Sequence, residues 1–213
     1  MFMTIKHRIV NIAAMAFALP ALALQGLRAP VSRFVHLVRA KAKLRTVNAT
    51  VQFDGKVDIV GTANISIGDF SRIGDGVQLG TEESGRLCIG EHVRLNRGTT
   101  IIAYGELTIG SHTLIGEFAT VRDANHMIEK GKPIRYQPHE VKQVTIGSDV
   151  WIGRGVCVLP GVAIGDGCVV GANSVVATSL PPNAVAVGAP AKVVRERGAA
   201  SPAPGGPSGR SGL

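Results

Sequence analysis

Residues 146–170 have the sequence IGSDVWIGRGVCVLPGVAIGDGCVV, in which an aliphatic residue recurs at every sixth position and glycine usually follows it. A small or β-branched residue stands four places after each aliphatic one. Because the side chains of a strand alternate between its two faces, six residues form one short strand and a corner, and three such units close a triangular turn. The stretch therefore predicts a parallel β-helix with about 18 residues in each turn.

The same period continues outside this stretch, with aliphatic residues at Ile67, Ile73, Leu79, Ile89, Leu95, Ile101, Ile109, Ile115, Val121 and Val176. An ordinary β-sandwich is the alternative fold for a glycine-rich all-β chain, and it predicts turns about every 8–12 residues without a fixed register. A register kept over so many units favours the β-helix.

Three motifs carry a family resemblance: VWIG at 150–153, VLPGV at 158–162 and PPNAVAVGAPAKVV at 181–194. They resemble the galactoside and maltose O-acetyltransferase branch of the hexapeptide-repeat acyltransferases, and the resemblance covers about 57–197. It implies a left-handed helix, acetyl-CoA as the acyl donor, no metal, and a homotrimer whose active site lies between adjacent prisms.

The chain divides into three parts. Residues 1–45 form a basic, apolar segment predicted to be helical, and residues 46–197 form the β-helix domain. Residues 198–213 consist mainly of Gly, Pro, Ser and Ala, which predicts a disordered tail. The hexad register is lost at 127–145, and we expect a protruding loop there, since long loops in compact domains are commonly functional.

The net charge of +8 is local, because residues 1–45 hold eight Lys and Arg residues and no acid. The remaining 15 basic and 15 acidic residues cancel, so the pI does not indicate nucleic-acid binding. The three cysteines, Cys88, Cys157 and Cys168, form neither a CxxC motif nor a disulfide framework, which favours a reducing compartment.

An apolar run at 9–24 lies between the cations of the N-terminal segment. Three interpretations remain open: a cleaved signal peptide, a peripheral anchor on an anionic membrane, or a helix that caps the open end of the β-helix. Export would separate an acyltransferase from cytoplasmic acyl-CoA, so we expect a cytoplasmic protein associated with the inner face of the membrane.

His126 is the candidate catalytic base, because it stands at the root of the loop, where the resembled branch carries such a histidine. Transfer of an acyl group from a thioester to a hydroxyl requires removal of the hydroxyl proton, and imidazole titrates near neutrality. Asn96, thirty residues earlier, aligns with a family asparagine of the acceptor site. Asp123 and Asn125 are predicted to contact the substrate, and Asp123 or Glu140 to orient the ring.

Trp151 is the only tryptophan, and in the resembled branch a Trp here borders the acceptor pocket. By the same resemblance, coenzyme A contacts are expected at Gly153, Arg154, Ala172, Ala177, Thr178, Lys192 and Arg195. Ala177-Thr178 departs from the Thr-Lys pair that is common in the branch, which removes one cationic contact. Lys192 and Arg195 suit the phosphates of the adenosine moiety.

His92 and His112 each lie three residues after a repeat start and are predicted to stack on successive turns. A zinc enzyme of the γ-class carbonic anhydrase kind would need three convergent histidines, and a non-catalytic β-helix scaffold is a further alternative. The sequence favours an acetyl-CoA-dependent O-acetyltransferase that modifies a sugar hydroxyl, with a cell-surface polysaccharide precursor as the acceptor.

Overall fold

The structure is a computed structural model that describes residues 31–44 and 46–198. Residues 31–43 are helical and are called α1. A short 3-10 helix covers Ile134–Tyr136. The strands are β1 (Thr46–Val47), β2 (Gln52–Phe53), β3 (Asp58–Gly61), β4 (Ile65–Ile67), β5 (Arg72–Ile73), β6 (Gln78–Thr81), β7 (Arg86–Ile89), β8 (Arg94–Leu95), β9 (Thr100–Ala103), β10 (Glu106–Ile109), β11 (Leu114–Ile115), β12 (Thr120–Arg122), β13 (Ala124–His126), β14 (His139–Val141), β15 (Val144–Ile146), β16 (Trp151–Ile152), β17 (Cys157–Val158), β18 (Ala163–Ile164), β19 (Val169–Val170), β20 (Val175–Val176), β21 (Ala184–Val187) and β22 (Lys192–Glu196).

Three long sheets form the faces of a triangular prism. Face A is β1-β4-β7-β10-β15-β18, face B is β2-β5-β8-β11-β16-β19-β21-β22, and face C is β3-β6-β9-β12-β17-β20. Strands stack in parallel within each face, except that β22 returns antiparallel to β21. The prediction of a left-handed parallel β-helix is confirmed, with about seven turns and an N-terminal helix.

The hexad positions have the burial that the repeat predicts. The aliphatic residues Ile73, Leu79, Ile101, Ile115 and Ile152 are fully buried inside the prism. The small residues four places later are also buried and fill the corners: Ser71, Val77, Val93, Thr99, Thr113, Ala119, Val150, Val156, Val162, Cys168 and Ser174. Alternation along short strands therefore produces one continuous core.

The turns differ in length along the prism. On face A, Val47 pairs with Ile67, Ile67 with Ile89, Ile89 with Ile109, Ile109 with Ile146, and Ile146 with Ile164, steps of 20, 22, 20, 37 and 18 residues. The predicted turn of about 18 residues thus holds only near the C-terminus. The additional residues lie at the corner between faces C and A, which also carries the long loop.

Helix α1 covers the first turn of the prism. Ala40 and Leu44 are buried and belong to the same hydrophobic cluster as Phe53 and Ile59 of that turn. Helix α1 thus caps the first turn. The apolar run at 9–24, to which the three interpretations apply, and all but the first residue of the predicted tail at 198–213 lie outside the described residues. None of the helical segments in 31–44 and 46–198 has the length and apolar character that a membrane crossing requires.

Candidate active site

The chain leaves the prism after β12 and forms a two-stranded antiparallel hairpin. In this hairpin Asn125 of β13 lies opposite Glu140 of β14, and His126 lies opposite His139. His126 therefore stands on a strand of a separate hairpin, whereas the hexad spacing places it at a corner of the prism. The ladder fixes the backbone of His126 although its side chain is exposed.

Asp123 joins the hairpin to the preceding turn. Its carboxylate is fully buried and accepts hydrogen bonds from the backbone N–H groups of Tyr104, at 2.8 Å, and Gly105, at 2.9 Å. Its carbonyl oxygen accepts a third hydrogen bond from the N–H of Lys142 at 2.7 Å. Both carboxylate oxygens are thus used by backbone donors, and these contacts fix the point where the loop begins and ends.

The loop beyond the hairpin is closed by Gln137. Its Oε1 accepts a hydrogen bond from the N–H of Glu129 at 2.7 Å, and its Nε2 donates to the carbonyl oxygens of Glu129 and Lys132, both at 2.9 Å. Gln137 is the buried side chain at the centre of this loop. The loop therefore has a defined conformation in spite of having lost the hexad register.

The His126 ring belongs to a row of three rings. His126 and His139 have ring centroids 4.3 Å apart, and His139 lies 4.4 Å from the ring of Tyr104 on the preceding turn. On its open side His126 faces a cavity of about 590 Å³ lined by Asn125, His126, Met127, Ile128, Glu129 and Glu140. One side of the imidazole is thus packed, while the other is accessible to a ligand.

Asn96 interrupts a column of glycines at the corner between faces B and C. The residues at equivalent positions on neighbouring turns are Gly74, Gly116 and Gly153. The Oδ1 atom of Asn96 accepts a hydrogen bond from Nε of Arg94 at 3.1 Å, so its amide lies along the outer side of face B. The outer side of the same face carries Trp151, which is 57% exposed.

Trp151 lies on the flat of face B rather than at a corner. It is in β16, paired with Leu114 on one side and Val169 on the other. Arg94 pairs with Leu114 on the far side, so Trp151 is two strands away from Arg94. Strands in a sheet are about 4.8 Å apart, which places Trp151 about 10 Å from Arg94 along the face.

The residues expected to contact coenzyme A fall into three groups. Gly153, Arg154 and Ala172 lie at the corner between faces B and C, where Arg154 stands over the ring of Phe118 at 5.5 Å. Ala177 and Thr178 follow β20 at the corner between faces C and A, and both are exposed. The exposed strand β22 carries Lys192 and Arg195.

The structure therefore divides the predicted site residues between two corners of one prism. Asn96, Gly153, Arg154 and Ala172 occupy the corner between faces B and C, with Trp151 beside them. Asp123, Ala177 and Thr178 lie at the corner between faces C and A, and Asn125 and His126 lie on the hairpin that leaves this corner. Face C separates the two groups, so Asn96 and His126 of one chain do not meet each other.

His92 and His112 form a second row of rings at the corner between faces A and B. Their centroids are 4.9 Å apart, and Phe70 stacks on His92 at 5.1 Å, which confirms the predicted stacking. Each of the three has a positive φ, between 54° and 61°. Among the described residues no group of three His, Cys, Asp or Glu side chains is placed to hold a metal ion.

The sequence gives no indication of the packing partners of His126. Tyr104 and His139 contribute to the ring row only because the hairpin folds back over the preceding turn. No sequence signal identifies them, because the antiparallel pairing of Ala124–His126 with His139–Val141 exists only in the folded structure. Glu129 joins the cavity wall in the same way, through the loop closure at Gln137.

Comparison with known proteins identifies the class. Residues 143–178 match the family model described as bacterial transferase hexapeptide, six repeats. A protein of Escherichia coli assigned, as an O-acetyl transferase, to lipopolysaccharide biosynthesis is 36% identical over 141 residues, which cover 62% of this chain and 72% of that protein. The chain belongs to the hexapeptide-repeat acyltransferase family.

Two further comparisons agree with this assignment. A Mycobacterium tuberculosis protein classed as a probable acetyltransferase is 37% identical over 171 residues, and the chain spans 57% of its length. The crystal structure of AntD, an N-acyltransferase from Bacillus cereus in complex with dTDP-4-amino-4,6-dideoxyglucose and coenzyme A, has a TM-score of 0.64 and 27% identity. That comparison covers 74% of this chain and 86% of AntD.

Proposed function

We propose that this protein transfers an acetyl group from acetyl-CoA to a hydroxyl of a saccharide, with His126 as the general base. The observation that carries the proposal is the position of His126, which is packed on one side against His139 and faces an open cavity on the other. Relatives that act on sugars or use coenzyme A support the choice of acceptor and donor.

In the proposed reaction the acceptor hydroxyl attacks the thioester carbonyl carbon while the imidazole of His126 removes its proton. The tetrahedral intermediate then collapses, the carbon–sulfur bond breaks, and the leaving thiolate receives the proton from the imidazolium. The products are the acetyl ester and free coenzyme A, and no covalent enzyme intermediate is needed. Asn125 lines the cavity beside His126 and is proposed to contact the acceptor.

We propose that the complete site forms between copies of the chain in a homotrimer. Asn96 and Trp151 lie on or beside face B, whereas His126 lies across face C at another corner. A neighbouring copy that presents its B/C corner to the C/A corner of the first would bring Asn96 and His126 together. Arg154, Lys192 and Arg195 are exposed cations that fit the phosphates of the donor.

The acceptor is proposed to be a precursor of a cell-surface polysaccharide, and the protein to work at the inner face of the membrane. The relative assigned to lipopolysaccharide biosynthesis supports the polysaccharide acceptor. The location at the membrane is supported by residues 1–45, which contain eight cations and no acid.

The test is release of free coenzyme A from acetyl-CoA over a panel of sugars and nucleotide sugars. Detection should be chromatographic, because the free cysteines of the protein react with thiol reagents. We expect acceptor-dependent release, lowered at least about 10²-fold in His126→Ala. His112→Ala is the matched control, since this exposed histidine also stacks on another ring but lies at a different corner. Equal activity of His126→Ala and wild type would exclude His126 as the base.

A further inference from the structure

Helix α1 has two apolar sides, of which only one packs on the prism. Ala40 and Leu44 are buried against the first turn, with Leu37 half-buried beside them. The opposite side carries the exposed side chains Val31, Phe34, Val35 and Val38, at spacings of three and four residues. This spacing puts the four side chains in one stripe along the helix, which is called the outer stripe.

A helix that only caps a solenoid needs one apolar side, and its outer side is ordinarily polar. Here the outer stripe includes Phe34, which is 66% exposed, and Val31, which is 59% exposed. Exposure of such side chains in a row is a feature of surfaces that bind an apolar partner. The outer stripe is therefore a candidate docking surface.

The charges beside the outer stripe define the chemistry of its occupant. At 100° per residue, Arg39 lies on one flank of the stripe and Lys41 lies on the other, and both are exposed. Residues 1–45 contain no acid, so no carboxylate of this segment neutralises them. An apolar stripe with an exposed cation on each flank fits the interface of an anionic lipid bilayer, where acyl chains lie beneath negative headgroups.

A cavity beside the helix also combines an apolar surface with charged side chains at its edge. A cavity of about 330 Å³ between α1 and the first turn has an apolar floor that includes Phe53 and Ile59. Its rim holds Arg39, Lys43 and Lys56, and its single carboxylate, Asp58, already pairs with Lys56 at 3.3 Å. On the prism side the cations of the helix are engaged by the first turn, since Arg33 pairs with Asp54 at 3.5 Å and Lys43 donates a hydrogen bond to the carbonyl oxygen of Ile59 at 3.4 Å.

We propose that α1 docks the protein end-on to an anionic bilayer, with the outer stripe in the interface and Arg39 and Lys41 among the headgroups. This inference rests on the membrane association proposed above and names the surface that produces it. Asn96 lies in the third turn and the His126 hairpin leaves the fourth, so at about 4.8 Å per strand both lie about 10 to 15 Å beyond the first turn. The site would then face the saccharide part of a lipid-linked acceptor.

The experiment measures co-sedimentation of the full-length chain with two kinds of vesicle, pure phosphatidylcholine and phosphatidylcholine with about a third phosphatidylglycerol. We expect wild type to bind the anionic vesicles, and Phe34→Gln with Val38→Gln to weaken that binding at least about tenfold. Phe70→Gln is the matched control, because Phe70 is 61% exposed but lies on the second turn. Phe34→Leu, which keeps an apolar side chain, should retain binding.

Arg39→Gln with Lys41→Gln tests the electrostatic part. We expect about tenfold weaker binding to the anionic vesicles, and no change on pure phosphatidylcholine. Thermal unfolding of every variant should match wild type, because the substituted side chains are exposed.

Three results would overturn the proposal. If wild type binds neither kind of vesicle, α1 is not a membrane-docking surface. If the double variant Phe34→Gln, Val38→Gln binds the anionic vesicles as wild type does, membrane binding is produced by residues outside α1. A fall in oligomeric mass of that variant by light scattering without lipid would show that the stripe joins copies of the chain. All these variants should transfer acetyl groups to a water-soluble acceptor at the same rate as wild type. If wild type itself shows no such transfer, the proposed function is contradicted, whereas the docking result is unaffected.

Discussion

His126 and His139 face each other across the hairpin, with ring centroids 4.3 Å apart and ring planes inclined by 35°. Tyr104 from the preceding turn lies on the far side of His139, at 4.4 Å. The three rings connect the proposed base to the rigid prism, although the base itself is on a protruding hairpin. His139 is therefore a candidate positioning residue for His126.

Substitution of His139 tests this role. We expect His139→Ala to lower kcat about tenfold with little change in KM, because the freed imidazole of His126 samples more side-chain orientations. His139→Phe restores an aromatic surface without a titratable group and should recover most of the activity. Activity of His139→Ala equal to that of wild type would show that the ring row does not position the base.

Substitution of Asp123 tests whether this residue has a structural role or makes the substrate contact that the sequence predicts. Asp123→Ala leaves the half-buried N–H groups of Tyr104 and Gly105 without their protein acceptor, at a cost of up to about 1–3 kcal/mol for each group. We expect a clear fall in the thermal unfolding midpoint, and a smaller fall for Asp123→Asn, which keeps one acceptor oxygen.

Asp58→Asn is the control for Asp123, because it removes an exposed carboxylate paired with Lys56 and should change stability by less than about 0.5 kcal/mol. A normal unfolding midpoint in Asp123→Ala together with a raised KM for the acceptor would instead support the substrate contact.

Gly116 tests how closely successive turns approach. A Cβ at this position would lie 2.6 Å from the backbone N of Arg154 and from the backbone carbon of Gly153. Backbone atoms of the next turn have little freedom to move, so Gly116→Ala should unfold at a much lower temperature or fail to accumulate as folded protein.

Gly131→Ala provides the comparison for Gly116→Ala. Gly131 has a φ of +95° and nothing within 4 Å of an added Cβ, so its substitution introduces backbone strain without a clash. Its cost should be about 1 kcal/mol, measured as a small shift of the unfolding midpoint. Equal shifts for the two variants would contradict a steric role for Gly116.

The prism could be predicted from the sequence because each hexad repeats the same local physics. Residues such as Ile152 and Val158 are buried because the side chains of each short strand alternate between its two faces. The relation between Asn96 and His126 could not be predicted. Their spacing of thirty residues is about one and a half turns of 20 residues, so the two residues fall at different corners.

The hairpin also could not be predicted from the sequence pattern. Its register depends on Asp123, whose buried carboxylate binds backbone donors that lie 18 and 19 residues earlier. No local periodicity records such a contact, because it exists only after the turns have stacked. The Trp151 side chain is a milder case, since the hexad count indicates its outward direction but not that it lies on the flat of face B.

Cys168 gives the protein a pH-dependent stability that can be measured directly. Burial raises the pKa of the Cys168 thiol, and its Sγ donates a hydrogen bond to the carbonyl oxygen of Pro181 at 3.0 Å. The fold thus favours the neutral thiol. This stabilisation is fully present below the ordinary thiol pKa of about 8.5 and is lost as pH rises toward the raised value.

We therefore expect the unfolding midpoint to fall above about pH 8.5, and to fall less in Cys168→Val. Valine is the matched replacement, because Val93 and Val150 occupy the same small position on other turns and are equally buried. A thiol reagent at neutral pH should modify the half-buried Cys88 and Cys157 well before Cys168. The same pH dependence in wild type and Cys168→Val would show that another group produces the alkaline loss.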